Sequence, residues 1–199
     1  HTSERAKEKV YELAQELCAY VTRLSVFIVP FTHIQEEIYD KCPDQFMTIL
    51  TRRFMMKISE RIARLRSCGA LITGESIGQV ASQTMESLNA TDSAVNLPVF
   101  RPVIGMDKLE IMDIAQKIGT YETSILPYED CCTVFTPRHP ATKPKLDEVI
   151  KAEKLLDEEK LIDEAMEMVE RIDIDAEGVI CTQKLADMAI WQEYKKTLG

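Results

Sequence analysis

No stretch of this 199-residue chain comes near the ~20 consecutive apolar residues that cross a bilayer, so no membrane role is expected. The opening residues, His1-Thr2-Ser3-Glu4-Arg5, hold no apolar core of a secretory leader. Internal repeats and low-complexity tracts are absent. Six cysteines do not make a disulfide-dense pattern in this length. Cys18, Cys42, Cys68 and Cys181 stand singly in apolar or helical stretches, where packing as a small hydrophobe is expected, and only Cys131-Cys132 differs. No second cysteine or histidine pair lies at zinc-ligand spacing. His1, His33 and His139 read as terminal or surface loop residues, and no Ser/His/Asp constellation can be built from them. A cytoplasmic, reducing setting fits these absences.

What is present is ordinary for a globular protein: 45% hydrophobic and 29% charged residues, with length for one domain and an extension. The net charge of -9 argues against a general nucleic-acid binder, yet it is unevenly spread. Residues 143–177 carry 13 acids and 6 bases, whereas 51–66 carry 6 bases and 1 acid. A basic segment therefore sits in an acidic protein.

Ser3 reads as the N-cap of a helix with the stripe Val10, Leu13, Ala14, Leu17 and Val21. Val26-Phe27-Ile28-Val29 predicts a buried strand. Helices follow over about 32–40 and 44–67, the second with Phe46, Leu50, Phe54, Ile58 and Ile62 every four residues. Gly69–Gly74 predicts a strand ending in a glycine turn, and Ser76 caps a helix to about Leu88. Pro98–Val103 predicts a third strand; Asp107 and Glu110 open a helix that Gly119 stops. Strands alternating with helices imply an α/β fold, a parallel sheet with helices on both faces. Since the first helix should itself be a crossover, a strand and loop are expected before it, so the domain reads as truncated at its N-terminus. Residues 1–145 form this domain; 146–199 read as an acidic helical extension with at most a short strand at Val179-Ile180. Trp191 is a packing anchor in a terminal helix.

Three features could carry chemistry. The segment Leu71–Gln83 is a strand end, a glycine turn and a helix start, which can cradle an anion or simply turn the chain where glycine is needed. Cys131-Cys132, in the proline-bounded Pro127–Pro137 stretch, offers thiolates able to carry persulfide sulfur, or two half-buried loop thiols. Arg53, Lys57, Arg61 and Arg64 share one helix face; they are either a solvated face or contacts for the phosphates of a nucleotide or RNA.

The stretches Thr2–Ala6, Arg52–Met56, Thr73–Thr84, Arg101–Ile104 and Pro127–Thr136 resemble the tRNA 4-thiouridine synthase (ThiI) family, colinearly over residues 2–145. That resemblance implies an ATP pyrophosphatase domain of the PP-loop, adenine nucleotide α-hydrolase type, Rossmann-like in its sheet. It implies an ATP-dependent tRNA sulfurtransferase that adenylates a uridine and lets persulfide sulfur displace AMP, and that also supplies sulfur for thiamine thiazole synthesis. By position, Arg52, Gly74 and Gln83 match family ATP contacts. Lys108 matches a lysine serving the active site or tRNA. The sulfur-transfer thiol maps to the Cys131-Cys132 pair: the Cys-x-Val pattern favours Cys132, and the spacing from Gly119 fits Cys131 equally. ATP with magnesium, tRNA, a cysteine desulfurase as sulfur donor and a homodimer are the implied ligands and partners.

The family's Ser-Gly-Gly-x-Asp-Ser phosphate loop, the RNA-binding THUMP region and the rhodanese domain are not in this sequence. Without the loop, the chain alone is expected to be inactive in adenylation. Another PP-loop tRNA thiolase or an amidating synthetase is the alternative enzyme. A non-catalytic module docking tRNA or a desulfurase through the basic stripe is the alternative of another class.

Overall fold

A computed structural model of the protein describes residues 3–79, 83–128 and 140–198. The chain opens with α1 (Glu4–Leu17), β1 (Leu24–Ile28) and α2 (Thr32–Lys41), then a 3-10 turn (Asp44–Phe46) and the long α3 (Met47–Leu65). Next come β2 (Leu71–Ile72), α4 (Met85–Asp92), β3 (Val99–Phe100), α5 (Lys108–Lys117) and α6 (Tyr121–Ser124). The last part runs α7 (Leu146–Glu153), α8 (Glu158–Glu167), β4 (Glu170–Asp175), β5 (Gly178–Lys184), a 3-10 turn (Leu185–Asp187) and α9 (Ala189–Leu198). Two compact units divide it: His1–Pro30, Lys108–Val134 and Ala165–Gly199 in one, Phe31–Asp107 and Phe135–Glu164 in the other.

In the second unit α3 organises the packing. Phe46, Leu50, Phe54 and Ile58 are buried at the four-residue spacing read from the sequence. Each such side chain contributes roughly 1.5–3 kcal/mol by leaving water. Onto α3 pack α2, α4 and α7, whose buried residues include Ile34 and Ile38, Leu88, and Val149 and Ala152 respectively. The parallel pair β2–β3, with Leu71 opposite Val99 and Ile72 opposite Phe100, bears out the expected α/β arrangement.

The first unit departs from expectation. β1 is half-buried, not buried, and it pairs antiparallel with β4, which pairs antiparallel with β5. The stretch 146–199 thus carries a hairpin: β5 contains the short strand expected at Val179-Ile180, whereas β4 falls where helix was expected. The strand signal is the alternation of Ile172 and Ile174 with Arg171 and Asp173, which the Glu/Lys-rich composition masks. Ile172 and Ile174 meet Ala14 of α1, with Tyr11, Leu24, Val26 and Ile28 against them. Asp173 is a buried carboxylate held by Ser25 at 2.6 Å, Arg23 at 2.6 Å and Arg171 at 2.9 Å. Burial would push its carboxyl up, but those three partners outweigh it and hold it below the usual range.

Of the α1 stripe only Ala14 is fully buried; Val10, Leu17 and Val21 are exposed. Ser3 caps α1 as expected, accepting from the Ala6 N–H. Trp191 is buried and stacks on Tyr194 with ring centroids 5.4 Å apart, which bears out its reading as an anchor. Gly119 has φ +81 beyond α5: its N–H donates to Gln116 and the Thr120 N–H to Ala115, a Schellman stop.

Candidate nucleotide-binding site

The second unit gathers its polar groups where β2 and β3 end. Because the two strands run parallel, Thr73 and Glu75 after β2 and Arg101 after β3 emerge at the same carboxyl edge, where open α/β sheets bind ligands. Glu75 is 4% exposed. Its Oε1 accepts from Arg52 Nη2 on α3. Its Oε2 accepts from Arg101 Nε at 2.6 Å and from the Thr73 hydroxyl at 2.9 Å. Arg101 also donates to both oxygens of Asp92 at the end of α4, with Nη1 at 3.2 Å. Burial would raise the Glu75 carboxyl; Arg101, Arg52 and Thr73 outweigh it and hold it below the ordinary range.

The following loop is fixed from two sides. The Ser76 N–H donates to Gln83 Oε1 at 3.3 Å, and its hydroxyl donates to the Met106 carbonyl at 2.6 Å. The Ile77 N–H donates to Ile104 and the Gly78 N–H to Gln83, both at 3.0 Å. Ser76 is therefore not the helix cap expected of it. Thr84 takes that role, accepting from the Ser87 N–H at 3.2 Å, because Ser76 is committed to the 101–106 turn.

Arg52, Gly74 and Gln83 thus all lie on this one loop and the helix behind it. Gly74 is informative. Its φ is not positive, and a Cβ there would meet no atom within 4 Å among the described residues. Among the described residues neither a positive φ nor a neighbouring atom demands glycine at 74; the positive φ in this loop, +80, falls at Gly78. Arg52 Nε is buried with no hydrogen-bond partner among the described residues. The Arg52 side chain as a whole keeps 28% exposure, so part of this cation remains open to a ligand carrying acceptors, as a nucleotide does.

Other expected residues fall elsewhere. Lys108 is exposed as the first residue of α5, in the first unit. Cys131 and Cys132 lie outside the described residues, as does His139. His33 is exposed, with Nε2 3.5 Å from Glu164. Cys18 is buried and its thiol donates to Ile174, whereas Cys68 is exposed and so does not pack as expected. Among the described residues no group of three or more His, Cys, Asp or Glu side chains is placed to hold a metal, and no helix is long and apolar enough to cross a membrane.

The basic face of α3 is consumed by ion pairs. Arg53, 3% exposed, binds Glu153 and donates to Ser93 Oγ at 2.7 Å. Lys57 meets Glu153 at 2.9 Å and also Glu158; Arg61 meets Glu159 at 2.7 Å and also Asp163; Arg64 meets Glu60 at 2.6 Å. Arg53 is buried in its pair, whereas the Arg64 side chain stays 55% exposed. The sequence did not show these partners because most lie about a hundred residues downstream. Glu75, Arg101 and Asp92, which hold the site, were given no role from the sequence. Their available signal was charge at strand ends, Glu75 just past Gly74 and Arg101 just past Phe100.

Comparison with known proteins gives the chain its relatives. The probable tRNA sulfurtransferase of Alkaliphilus oremlandii is 60% identical over 176 residues, covering 87% of this chain and 45% of the relative. That of Caldanaerobacter subterraneus subsp. tengcongensis is 62% identical over 157 residues, covering 79% of this chain and 41% of the relative. The chain spans about half the length of the curated relatives it matches. A crystal structure of a 4-thiouridine synthetase–RNA complex with bound ATP aligns with TM-score 0.83 at 41% identity, over 87% of this chain and 46% of that one. The family model described as "Thiamine biosynthesis protein (ThiI)" matches residues 1–157, from α1 through α7, so this chain belongs to the ThiI family.

Proposed function

We propose that the chain carries the nucleotide-contacting and sulfur-transferring part of an ATP-dependent tRNA sulfurtransferase that makes 4-thiouridine. The observation that supports it most is that Glu75, at the carboxyl edge of a parallel pair, ties Arg52 of α3 to the loop that carries Gly74 and Gln83. ATP held there would supply the adenylyl group that makes a tRNA uridine oxygen a leaving group; the outer persulfide sulfur then bonds to the uridine carbon as AMP departs, and a second thiol takes the carrier sulfur as a disulfide, which releases the thiouridine.

Each residue has a role in this reading. Arg52 donates to a nucleotide acceptor, Gly74 lets the ligand approach the backbone, and Gln83 holds the loop through the Ser76 N–H. Lys108, exposed at a helix start, suits an anionic tRNA or nucleotide phosphate. Cys132, with Cys131 as its neighbour, is the sulfur-transfer thiol. Magnesium arrives on the nucleotide's phosphates. A cysteine desulfurase supplies the persulfide, in the cytoplasm, and the same sulfur serves thiamine thiazole synthesis. Desulfurase docking and homodimerisation rest on the family resemblance.

The docking-module alternative drew on the α3 stripe, and those cations are already paired with acids. The dicysteine tests what is left. Replacing Cys131 and Cys132 by serine at the gene's own locus is expected to abolish 4-thiouridine in cellular tRNA, with single replacements naming the reacting thiol. Normal thiolation in the double variant overturns the assignment.

A further inference from the structure

We infer that Glu75 is a positioning residue of the nucleotide site: its clamped carboxylate fixes the Arg52 guanidinium in the orientation that meets ATP. This rests on the reading of Arg52 as an ATP contact.

A free arginine side chain samples many rotamers, and holding it in one geometry costs entropy at every binding event. Arg52 escapes that cost because its Nη2 is tied to Glu75 Oε1. The two carboxylate oxygens divide the work. Oε2 is held by the scaffold, through Arg101 Nε at 2.6 Å and Thr73 Oγ1 at 2.9 Å, while Oε1 directs Arg52. Arg101 is fixed in turn by both oxygens of Asp92. Arg52, Glu75, Arg101 and Asp92 therefore alternate in sign and sum to zero, so the buried members face opposite charges on each side.

One donor is left over. Arg52 Nε–H is buried with no acceptor among the described residues, while the side chain as a whole stays 28% exposed, so a ligand meets the exposed part of the side chain and not Nε. With Nη2 committed, the guanidinium plane cannot turn to satisfy Nε elsewhere. A carboxylate needed only for folding would serve Arg101 and Thr73 through Oε2; the separate bond from Oε1 to Arg52 is what a positioning role adds.

The test is a double-mutant cycle on the protein as its gene encodes it. ATP affinity is measured for wild type, Arg52→Ala, Glu75→Gln and the double variant, with tRNA affinity and thermal midpoint recorded for each. Arg52→Ala is expected to weaken ATP roughly 10- to 100-fold and Glu75→Gln about tenfold. The double variant is expected to match Arg52→Ala within about twofold, because Glu75 acts only through Arg52. tRNA affinity is expected to stay within about twofold throughout. Losses that multiply in the double variant, or full ATP affinity in Glu75→Gln, overturn the inference while leaving Arg52 an ATP contact. Full ATP affinity in Arg52→Ala instead removes the reading on which it rests. Should Glu75→Gln not fold, Glu75→Asp takes its place, with an intermediate loss expected alone and none on the Arg52→Ala background.

Discussion

Arg53 on α3 and Glu153 on α7 form a buried two-point ion pair, Nε to Oε1 at 3.0 Å and Nη2 to Oε2 at 2.7 Å. This pair explains the uneven charge of the chain. The basic 51–66 segment and the first part of the acidic 143–177 segment are complementary faces of one unit, with Lys57 and Arg61 extending the contact to α8. Burial would raise the Glu153 carboxyl, but Arg53 and Lys57 outweigh it and hold it low.

Glu153→Ala leaves the Arg53 cation buried without its partner and is expected to cost about 3–5 kcal/mol of unfolding free energy. Arg64→Ala, which removes a half-exposed guanidinium from a buried Glu60 that keeps the Asn96 and Leu97 N–H donors, is expected to cost at most about 1 kcal/mol. Urea denaturation of the two variants checks the contrast; equal losses contradict the burial argument.

Neutralising Lys57 and Arg61 with glutamine is expected to leave the salt dependence of tRNA affinity unchanged, since both already neutralise α7 and α8 acids. A flatter slope of log affinity against log salt assigns them to RNA phosphates instead.

Glu75, Glu153 and Asp173 all have carboxyls held below their ordinary range in the folded protein. The unfolded chain binds those protons more readily, so their stabilisation is complete above the ordinary carboxylate range and is lost as pH falls through the lowered folded values. Denaturation midpoints are expected to be flat near neutrality and to fall below about pH 4. Glu153→Gln is expected to show a shallower acid decline; an identical slope removes Glu153 from the linkage.

Gly119→Ala, at φ +81, is expected to cost about 1 kcal/mol by straining the α5 stop. Thermal unfolding measures it, and an unchanged midpoint shows that the turn tolerates a Cβ.

The legible parts of the fold were those with local signals. The four-residue recurrence from Phe46 to Ile58 marked α3, and Asp107, Glu110 and Gly119 framed α5. Pairing was less visible. β1 read as a parallel strand because its apolar run says nothing of its neighbour, and β4 hid its period-two alternation in acidic composition. Of the site, Arg52, Gly74 and Gln83 came through the family resemblance, Gly74 and Gln83 on one loop and Arg52 on α3 behind it. Glu75 and Arg101 lie in stretches that carry the same resemblance but received no role, because a charge at a strand end acquires meaning only when parallel pairing sets β2 beside β3.

The central claim, that this gene product thiolates tRNA, is tested most directly by deleting the gene and quantifying 4-thiouridine in total tRNA by nucleoside mass spectrometry. The account predicts loss of the nucleoside, restored by the wild-type gene and not by an Arg52→Ala copy. Unchanged 4-thiouridine in the deletion strain would contradict it.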